Sequence, residues 1–566
     1  MPRRPSNPSP GADKAAASGS ETELKLSLPG ADPARIGTLL AQLPLLANLP
    51  VAVQRLDNVY FDTPDQRLHR ARAALRVRRI EVDGVPARWV QTLKTAPTAT
   101  GGLSQRGEWE TPVAGPALDL AALQATPAWP ALDPDGTLWP ELAPAFVTEA
   151  TRTLREVQGE HGARIELVLD IGRVRTMAAG ESGAATPAPG GKKFSAGQRR
   201  KTKAPAAGPA ASTGQGEVAL CELELELLAG QPEALFALAD QIAQHIAVLP
   251  ASVSKAERGW RLLEGTTHAP RRARLPSLTR ATPVSAAAAA VLGEALGQFL
   301  DNLGGILQSD GPELVHQARV GWRRWRSALW MFKPLFAHHP LPDAAPLRPL
   351  LKAMGATRDL DVAGLESLPP WSEAYIDGNA ERAEQWQAME TAVQAERRIR
   401  RAGLLSVLQA PATGRALLQL EQWLHALPQA TAATDVGAQP LGHWARRRAR
   451  RLHRRLKQAV RALKNAPAPT PPTPGSSTTM PPVASPDHQH RVRLLAKRTR
   501  YVLQSLTLVL PKRRTRRWAD RATDLQTRIG AARDLMLLAN LLEPLGVDGA
   551  ILGFMRGVAA GRLADD

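Results

Sequence analysis

Only one cysteine, Cys221, occurs in 566 residues. This excludes an intramolecular disulfide framework and any cysteine-rich zinc or iron–sulfur site, and it fits a reducing compartment. No apolar run reaches the roughly 18 residues a spanning helix needs. The nearest stretch, 39–53, is broken by Gln42, Pro44, Asn48 and Pro50, so no membrane span is expected. Residues 1–20 lack an apolar core segment and are expected to be a disordered tail rather than a secretory signal, with a cytoplasmic location. Acidic residues are scarce in one half only. Residues 21–265 carry 26 Lys+Arg and 28 Asp+Glu, whereas residues 266–566 carry 43 and 24. The net charge of +19 therefore belongs to the second half. A basic surface of that size implies a polyanionic partner: nucleic acid, anionic membrane or polyphosphate.

The chain divides by composition and by period. Residues 178–216, rich in Ala, Gly, Pro and Ser, read as an insertion, 265–285 as a linker, and the Pro-rich 465–489 as a second linker. Between 21 and 264 the period is two. Glu21, Glu23 and Lys25 alternate with leucines, as do Glu222, Glu224 and Glu226. Arg76 and Arg78 alternate with Leu75 and Val77, and Glu108 and Glu110 flank Trp109. Such alternation marks strands with one apolar and one polar face. Here the polar face carries charge on strand after strand, so a barrel could turn it inward to line a solvated tunnel. Helices are expected near 33–47 and 231–247. Beyond 285 the period becomes 3.6, and residues 286–560 read as an all-helical bundle. The expected fold is thus a multi-domain α+β chain, a barrel followed by a bundle.

The helical half is internally duplicated. His316 is followed by Arg319, Arg323, Arg324, Arg326 and Leu329; His490 is followed at the same offsets by Arg493, Lys497, Arg498, Arg500 and Leu503. Each copy continues to a Gly-Ala-x-Arg-Asp-Leu element containing Arg358 or Arg533. At about 100° per residue, His316, Arg319, Arg323 and Arg326 fall on one arc, with Trp322 and Trp325 on an apolar arc beside it; His490, Arg493, Lys497 and Arg500 repeat the pattern. Stacked cations repel one another unless a polyanion relieves them, and the arginine fork suits phosphate. Base stacking needs aromatics on the basic face. They lie on the other arc, so phosphate without bases is favoured over nucleic acid. Asp359 and Asp534 are expected to orient arginines. The basic segment Trp444–Lys457 reads on its own as a solvated helix.

In the strand half, acid on one wall and base on the other suits a metal–phosphate substrate, because carboxylate oxygens hold hard divalent ions and cations bind phosphoryl oxygens. Exposed strands with cross-strand salt bridges would show the same residues.

These residues resemble two families. Residues 21–264 are similar to the CYTH domain of the triphosphate tunnel metalloenzymes. The similarity rests on Glu21, Glu23 and Lys25, on Tyr60-Phe61-Asp62-Thr63-Pro64, Arg76, Arg78, Lys94, and Arg106 with Glu108 and Glu110. It continues through Thr148 with Arg152, Asp170, Glu222, Glu224 and Glu226, and Lys255 with Arg258. Residues 286–560 resemble the CHAD domain, through the two repeats. The resemblance implies an antiparallel eight-stranded tunnel that hydrolyses a triphosphate, most often inorganic tripolyphosphate, with Mg²⁺ or Mn²⁺. It implies a helical domain that binds inorganic polyphosphate. Glu21, Glu23, Glu222 and Glu224 would hold the metal. Arg76, Arg78, Lys94, Arg152, Lys255 and Arg258 would bind substrate phosphate. Lys25, on phosphate, and Asp170, beside the metal or a water, would be the catalytic residues. His316, Arg319, Arg323, Arg326, Arg358, His490, Arg493, Lys497, Arg500 and Arg533 would line the polyphosphate path. The fold also hosts adenylate cyclases and organic triphosphatases, and a non-enzymatic polyphosphate-binding protein is the third reading. Oligomeric state is not legible.

Overall fold

The computed structural model describes residues 19–95, 102–177, 216–337, 339–465, 486–528 and 531–565. The expected tail up to residue 18, nearly all of the insertion 178–216 and most of the Pro-rich stretch 465–489 lie outside them. The chain forms two compact units, Met1–Thr267 and His268–Asp566.

The first unit holds β1 (Gly19–Ser27), β2 (Ala52–Asp62), β3 (Ala74–Val82), β4 (Val85–Lys94), β5 (Leu103–Val113), β6 (Ala143–Gln158), β7 (Arg164–Thr176), β8 (Glu217–Ala229) and β9 (Leu249–Pro250). Their order is β5-β4-β3-β2-β6-β7-β8-β1, and β1 pairs back onto β5. Eight antiparallel strands thus close into the expected barrel, with the short β9 added beside β1. Six helices accompany them: α1 (Pro33–Ala41), α2 (Arg67–Arg70), α3 (Leu120–Gln124), α4 (Trp129–Leu132), α5 (Glu233–Ala243) and α6 (Lys255–Leu263).

The barrel is apolar outside and charged inside. Leu24, Leu26, Ile165, Leu167, Leu223 and Leu225 are fully buried, which their outward direction alone would not achieve. Helices cover them: α5 packs on β1 and β8, and Gly37 of α1 lies against Leu169. Each such leucine or isoleucine contributes about 1.5–3 kcal/mol by leaving water. This explains how a strand can expose charge to the tunnel without wasting its other face. Helix α1 stops at Ala41 rather than near 47, because Pro44 has no N–H and disfavours helix in the residue before it.

The second unit is all-helical: α7 (Val284–Gln308), α8 (Pro312–Phe332), α9 (Arg348–Val362), α10 (Ser372–Ile376), α11 (Ala380–Leu408), α12 (Pro411–Ala432), α13 (Leu441–Lys464), α14 (Pro486–Ser505), α15 (Lys512–Arg528), α16 (Ala531–Leu542) and α17 (Gly549–Asp565). The duplication is visible in the backbone. The starts of α7 and α13 pair antiparallel, Val284 N–H donating to Gln439 and Leu441 N–H to Thr282, both at 2.9 Å. From this pairing run two matching hairpins, α7–α8 and α13–α14. His316 is the fifth residue of α8 and His490 the fifth of α14. Residues 268–283 run along α7, where Asn302 exchanges hydrogen bonds with the Arg271 backbone at 3.1 and 2.9 Å. No helix among the described residues is long and apolar enough to cross a membrane.

Candidate active site and basic helical face

Strand register fixes who meets whom inside the barrel. Asp170 on β7 lies beside Arg152 on β6 and Glu222 on β8, and Glu224 lies beside Lys25 on β1. As a result Asp170, Glu222 and Glu224, all buried, each bring one oxygen to within 4.8 Å of the others. Three carboxylates at that spacing cannot stand in low dielectric without cations. Lys255 Nζ lies 2.8 Å from Asp170 and 2.9 Å from Glu224, and also contacts Glu222. Lys25 Nζ lies 3.1 Å from Glu222 and also contacts Glu224. Arg152 grips Asp170 with two bonds, at 2.8 and 2.7 Å, and Arg258 donates to Glu222 at 2.7 Å.

The charges hold each other. Burial works against the charged forms of Asp170 and Glu224. Arg152 and then Lys255 nonetheless keep Asp170, and Lys25 and then Lys255 keep Glu224, below the usual carboxylate range. Burial likewise opposes the Lys25 and Lys255 ammoniums, yet Glu222 holds Lys25 and Asp170 holds Lys255 above the ordinary lysine value.

Helix α6 delivers two of these cations. The Ser254 hydroxyl accepts from Glu257 N–H at 3.1 Å, a cap that starts the helix just before Lys255. Lys255 and Arg258, three apart, then share one face. Close docking depends on Gly259, where a Cβ would stand 2.1 Å from the Phe146 ring. Phe146 is itself stacked on Tyr60 at 4.7 Å.

The remaining wall is built from β1, β5, β4 and β3. Arg106 donates to Glu21 at 3.1 Å and to Glu23 at 2.8 Å. Lys94 lies 3.1 Å from Glu21 and 2.6 Å from Glu108. Burial, with Glu21 alongside, pushes the Glu108 carboxyl up to about 8 even though Lys94 opposes the shift. Arg76 approaches Glu108 and Glu110 at 3.7 and 3.6 Å, and its Nε is buried without a hydrogen-bond partner. Arg78 differs from every other cation in the tunnel. It is 8 % exposed, its Nε donates to the neutral Asn58 at 2.8 Å, and it makes no ion pair among the described residues. Burial first, then Arg76 and Arg152, draw its guanidinium down to about 10.

The structure therefore brings every tunnel residue singled out from the sequence to the barrel interior, but groups the acids differently. Asp170 joins Glu222 and Glu224, whereas Glu21 and Glu23 stand against Arg106 and Lys94. Arg106 and Glu108 join this wall as well, and their place in an alternating strand marks them as inward. The buried triad, offering only hard oxygen donors, fits a hard divalent cation.

In the helical unit His316, Arg319 and Arg323 are half-buried along α8, and Arg326 is exposed. Arg358 on α9 pairs with Glu366 at 2.7 Å. Asp359 lies near Arg319, which tempers the rise that burial gives its carboxyl. On α14, Arg493, Lys497 and Arg500 are half-buried. The side chains of His490, Arg533 and Asp534 lie outside the described residues. The two basic residues at the eighth offset act differently from the stripe. Arg324 is buried and binds Gln298 at 2.9 Å and the Arg274 carbonyl at 3.2 Å. Arg498 lies 5.7 Å from the Trp330 ring and within electrostatic reach of Arg326. Trp330, at the end of α8, also holds Arg448 and Arg455 of α13 at 5.6 and 5.9 Å, tying three helices through cation–π contacts.

A closed antiparallel barrel whose interior pairs a carboxylate triad with a row of arginines and lysines defines a triphosphate tunnel fold. Residues 19–260 match the family model of the CYTH domain and residues 290–543 that of the CHAD domain, so the chain carries a CYTH domain of the triphosphate tunnel metalloenzymes followed by a CHAD domain. Among solved structures it is similar to the CHAD domain from the plant Ricinus communis, at 27% identity over 52% of this chain and 92% of that one, with a TM-score of 0.41. It is also similar to an adenylyl cyclase candidate from Hippeastrum described as having a dominant triphosphatase activity. That match is 18% identical over 42% of this chain and 95% of that one, with a TM-score of 0.27. A candidate adenylate cyclase from Bacillus halodurans matches at 18% identity over the same shares, with a TM-score of 0.24.

Proposed function

We propose that residues 19–260 hydrolyse inorganic tripolyphosphate to pyrophosphate and phosphate, and that residues 290–543 bind inorganic polyphosphate. The observation that carries the first part is Arg78, a buried cation that forms no ion pair among the described residues, with Arg76 and Arg152 in electrostatic reach. A positive pocket of this kind is stabilised by an anion, and the arginine fork matches phosphoryl oxygens. Tyr60, the cross-strand neighbour of Arg76, has a ring face covered by Phe146, which leaves that face closed to a base ring.

A divalent ion on Asp170, Glu222 and Glu224 would supply charge neutralisation on the reacting phosphoryl group. The chain's own groups do the remaining work. Arg76, Arg78 and Lys94 hold the substrate's phosphates along one wall. Lys25, Lys255 and Arg258, now on carboxylates, turn toward phosphoryl oxygens and stabilise charge that grows on the leaving pyrophosphate. Arg106 fixes Glu21 and Glu23, which keeps β1 and its Lys25 in register. Water adds to the terminal phosphorus as the bond to the bridging oxygen breaks.

The test is phosphate release from tripolyphosphate, ATP, thiamine triphosphate and long polyphosphate with each metal. Tripolyphosphate should turn over fastest, and Glu23→Gln should slow it at least tenfold. No release from tripolyphosphate, release unaffected by the substitution, or cyclic AMP from ATP exceeding phosphate release would overturn the proposal.

Polyphosphate binding carries a pH signature. Burial, and then Arg358, hold His316 below its ordinary value, with Arg323 acting the same way and Glu313 and Glu366 opposing. A bound polyanion reverses that field, so binding takes up a proton. Polyphosphate affinity should therefore rise as pH falls from 8 to 5.5, and the slope should flatten in His316→Gln. Titration calorimetry in two buffers reads the proton uptake directly; equal slopes in both proteins would count against His316 in the path.

A further inference from the structure

A second concentration of basic charge in the helical unit lies on residues other than the α8 stripe. Helix α13 and the first turns of α15 enclose a groove of 670 Å³ lined by Arg446, Arg450, Arg513, Arg514, Arg517 and Trp518. No carboxylate lines it. Its floor is Ala449, Leu510, Pro511 and Thr515. Arg446 Nε is buried there without a hydrogen-bond partner. None of the five arginines forms an ion pair among the described residues. An adjoining cavity of 470 Å³ shares Arg513 and Arg517 and adds Arg516 and Arg521, but there Asp520 and Asp524 return negative charge. The acid-free groove is the stronger anion site.

We propose that the groove between α13 and α15 is a second binding track for inorganic polyphosphate, separate from the stripe formed by His316, Arg319, Arg323 and Arg326. Five guanidiniums brought together without counter-charge destabilise one another, and consecutive phosphates relieve them through paired N–H bonds. A linear chain suits the site better than a single phosphate, because the arginines come from two helices and from positions 446 to 450 and 513 to 517. Phosphate without bases is favoured because Trp518, the groove's aromatic, is stacked on His453 at 4.2 Å with 7° between the rings, which occupies one ring face in packing. The first copy of the repeat has no equivalent: the α8–α9 connection carries His339, Pro340 and Asp343 in place of an arginine run. Two tracks on one domain let a long chain engage both, which raises its affinity well beyond that of a short chain.

The experiment uses the full chain and Arg513→Ala/Arg517→Ala, both exposed positions on a helix where alanine is tolerated. Long-chain polyphosphate, tripolyphosphate and a single-stranded oligonucleotide are titrated at several salt concentrations, alongside Arg319→Ala/Arg326→Ala. The groove variant should keep its melting temperature, lose about tenfold or more in long-chain affinity, and show a log K against log[salt] slope shallower by about two. Tripolyphosphate binding to the helical stripe should change little. An unchanged affinity and slope would overturn the second track while leaving polyphosphate binding at the α8 stripe intact, which the stripe variant reads separately. Oligonucleotide binding that exceeds polyphosphate binding and falls in the groove variant would overturn the choice of ligand. A groove variant that melts early is replaced by Arg513→Gln/Arg517→Gln, read against the same criteria.

Discussion

Arg78→Met should lower tripolyphosphate turnover at least a hundredfold and, at the same time, leave the tunnel domain as stable as before or more so. The two signs come from one cause. Arg78 is buried, pairs with neutral Asn58, and stands between Arg76 and Arg152. Its guanidinium is drawn down to about 10, so the charged form is disfavoured in the fold compared with water. Because this pKa is lowered below its unfolded value, the cost is present throughout the range below about pH 10. Methionine fills much of the same volume without charge and adapts its shape, so the cavity cost stays small. The positive pocket, by contrast, loses a buried fork that no neighbour replaces. A removed donor to developing phosphoryl charge costs about 10²–10³ in rate. Steady-state kinetics and a melting curve on the same sample decide the matter. Turnover within tenfold of the parent would remove Arg78 from the substrate wall. A fall of more than about 5 °C in melting temperature would show that Arg78 is structural after all.

The sequence displays this site in part, and what it hides has a physical reason. Period two tells which side of a strand a residue faces, so the inward sets on β1, β3, β5 and β8 are legible one strand at a time. Period two does not tell which strands become neighbours. That Lys25 lies beside Glu224, and Arg152 beside Asp170, follows from barrel closure and register. Hence Asp170 could be placed in the tunnel but not in a triad with Glu222 and Glu224, and Arg106 and Glu108 had no visible partners. The same limit holds in the helices. A stripe at 3.6 spacing is visible on α8, whereas the α13–α15 groove joins two segments about 65 residues apart in number, and the first of them, within 444–457, reads on its own as a solvated basic helix. Trp330 shows the same limit: at 100° per residue it falls on the arc of His316, Arg323 and Arg326, but only the packing of α13 and α14 against it shows that three guanidiniums surround it.

Glu222→Gln should be the most damaging single substitution in the tunnel, reducing turnover by about 10³ or more and destabilising the domain together. Glu222 is fully buried and answers three cations, Lys25 at 3.1 Å, Arg258 at 2.7 Å and Lys255. Glutamine keeps the shape but cannot neutralise any of them, and removing one partner from a buried ionic cluster costs about 3–5 kcal/mol. At about 2–4 °C per kcal/mol for a domain of this size, melting should fall by roughly 10 °C. The pH dependence gives a separate reading. Burial opposes charge on Glu222, but Lys25 and then Lys255 hold its pKa below the usual value. The unfolded chain takes up a proton there below about pH 4.5 while the fold does not. The stabilisation is therefore complete above that pH and disappears as the pH falls. In Glu222→Gln this acid limb should be shallower. Activity is then measured well below the variant's melting temperature, over a range of Mg²⁺ and Mn²⁺. A retained maximal rate with an unchanged metal requirement would place the metal away from the triad of Asp170, Glu222 and Glu224. A lost rate that high metal partly restores would assign Glu222 to the metal, and a lost rate insensitive to metal would assign it to orienting Lys25 and Lys255 toward phosphate.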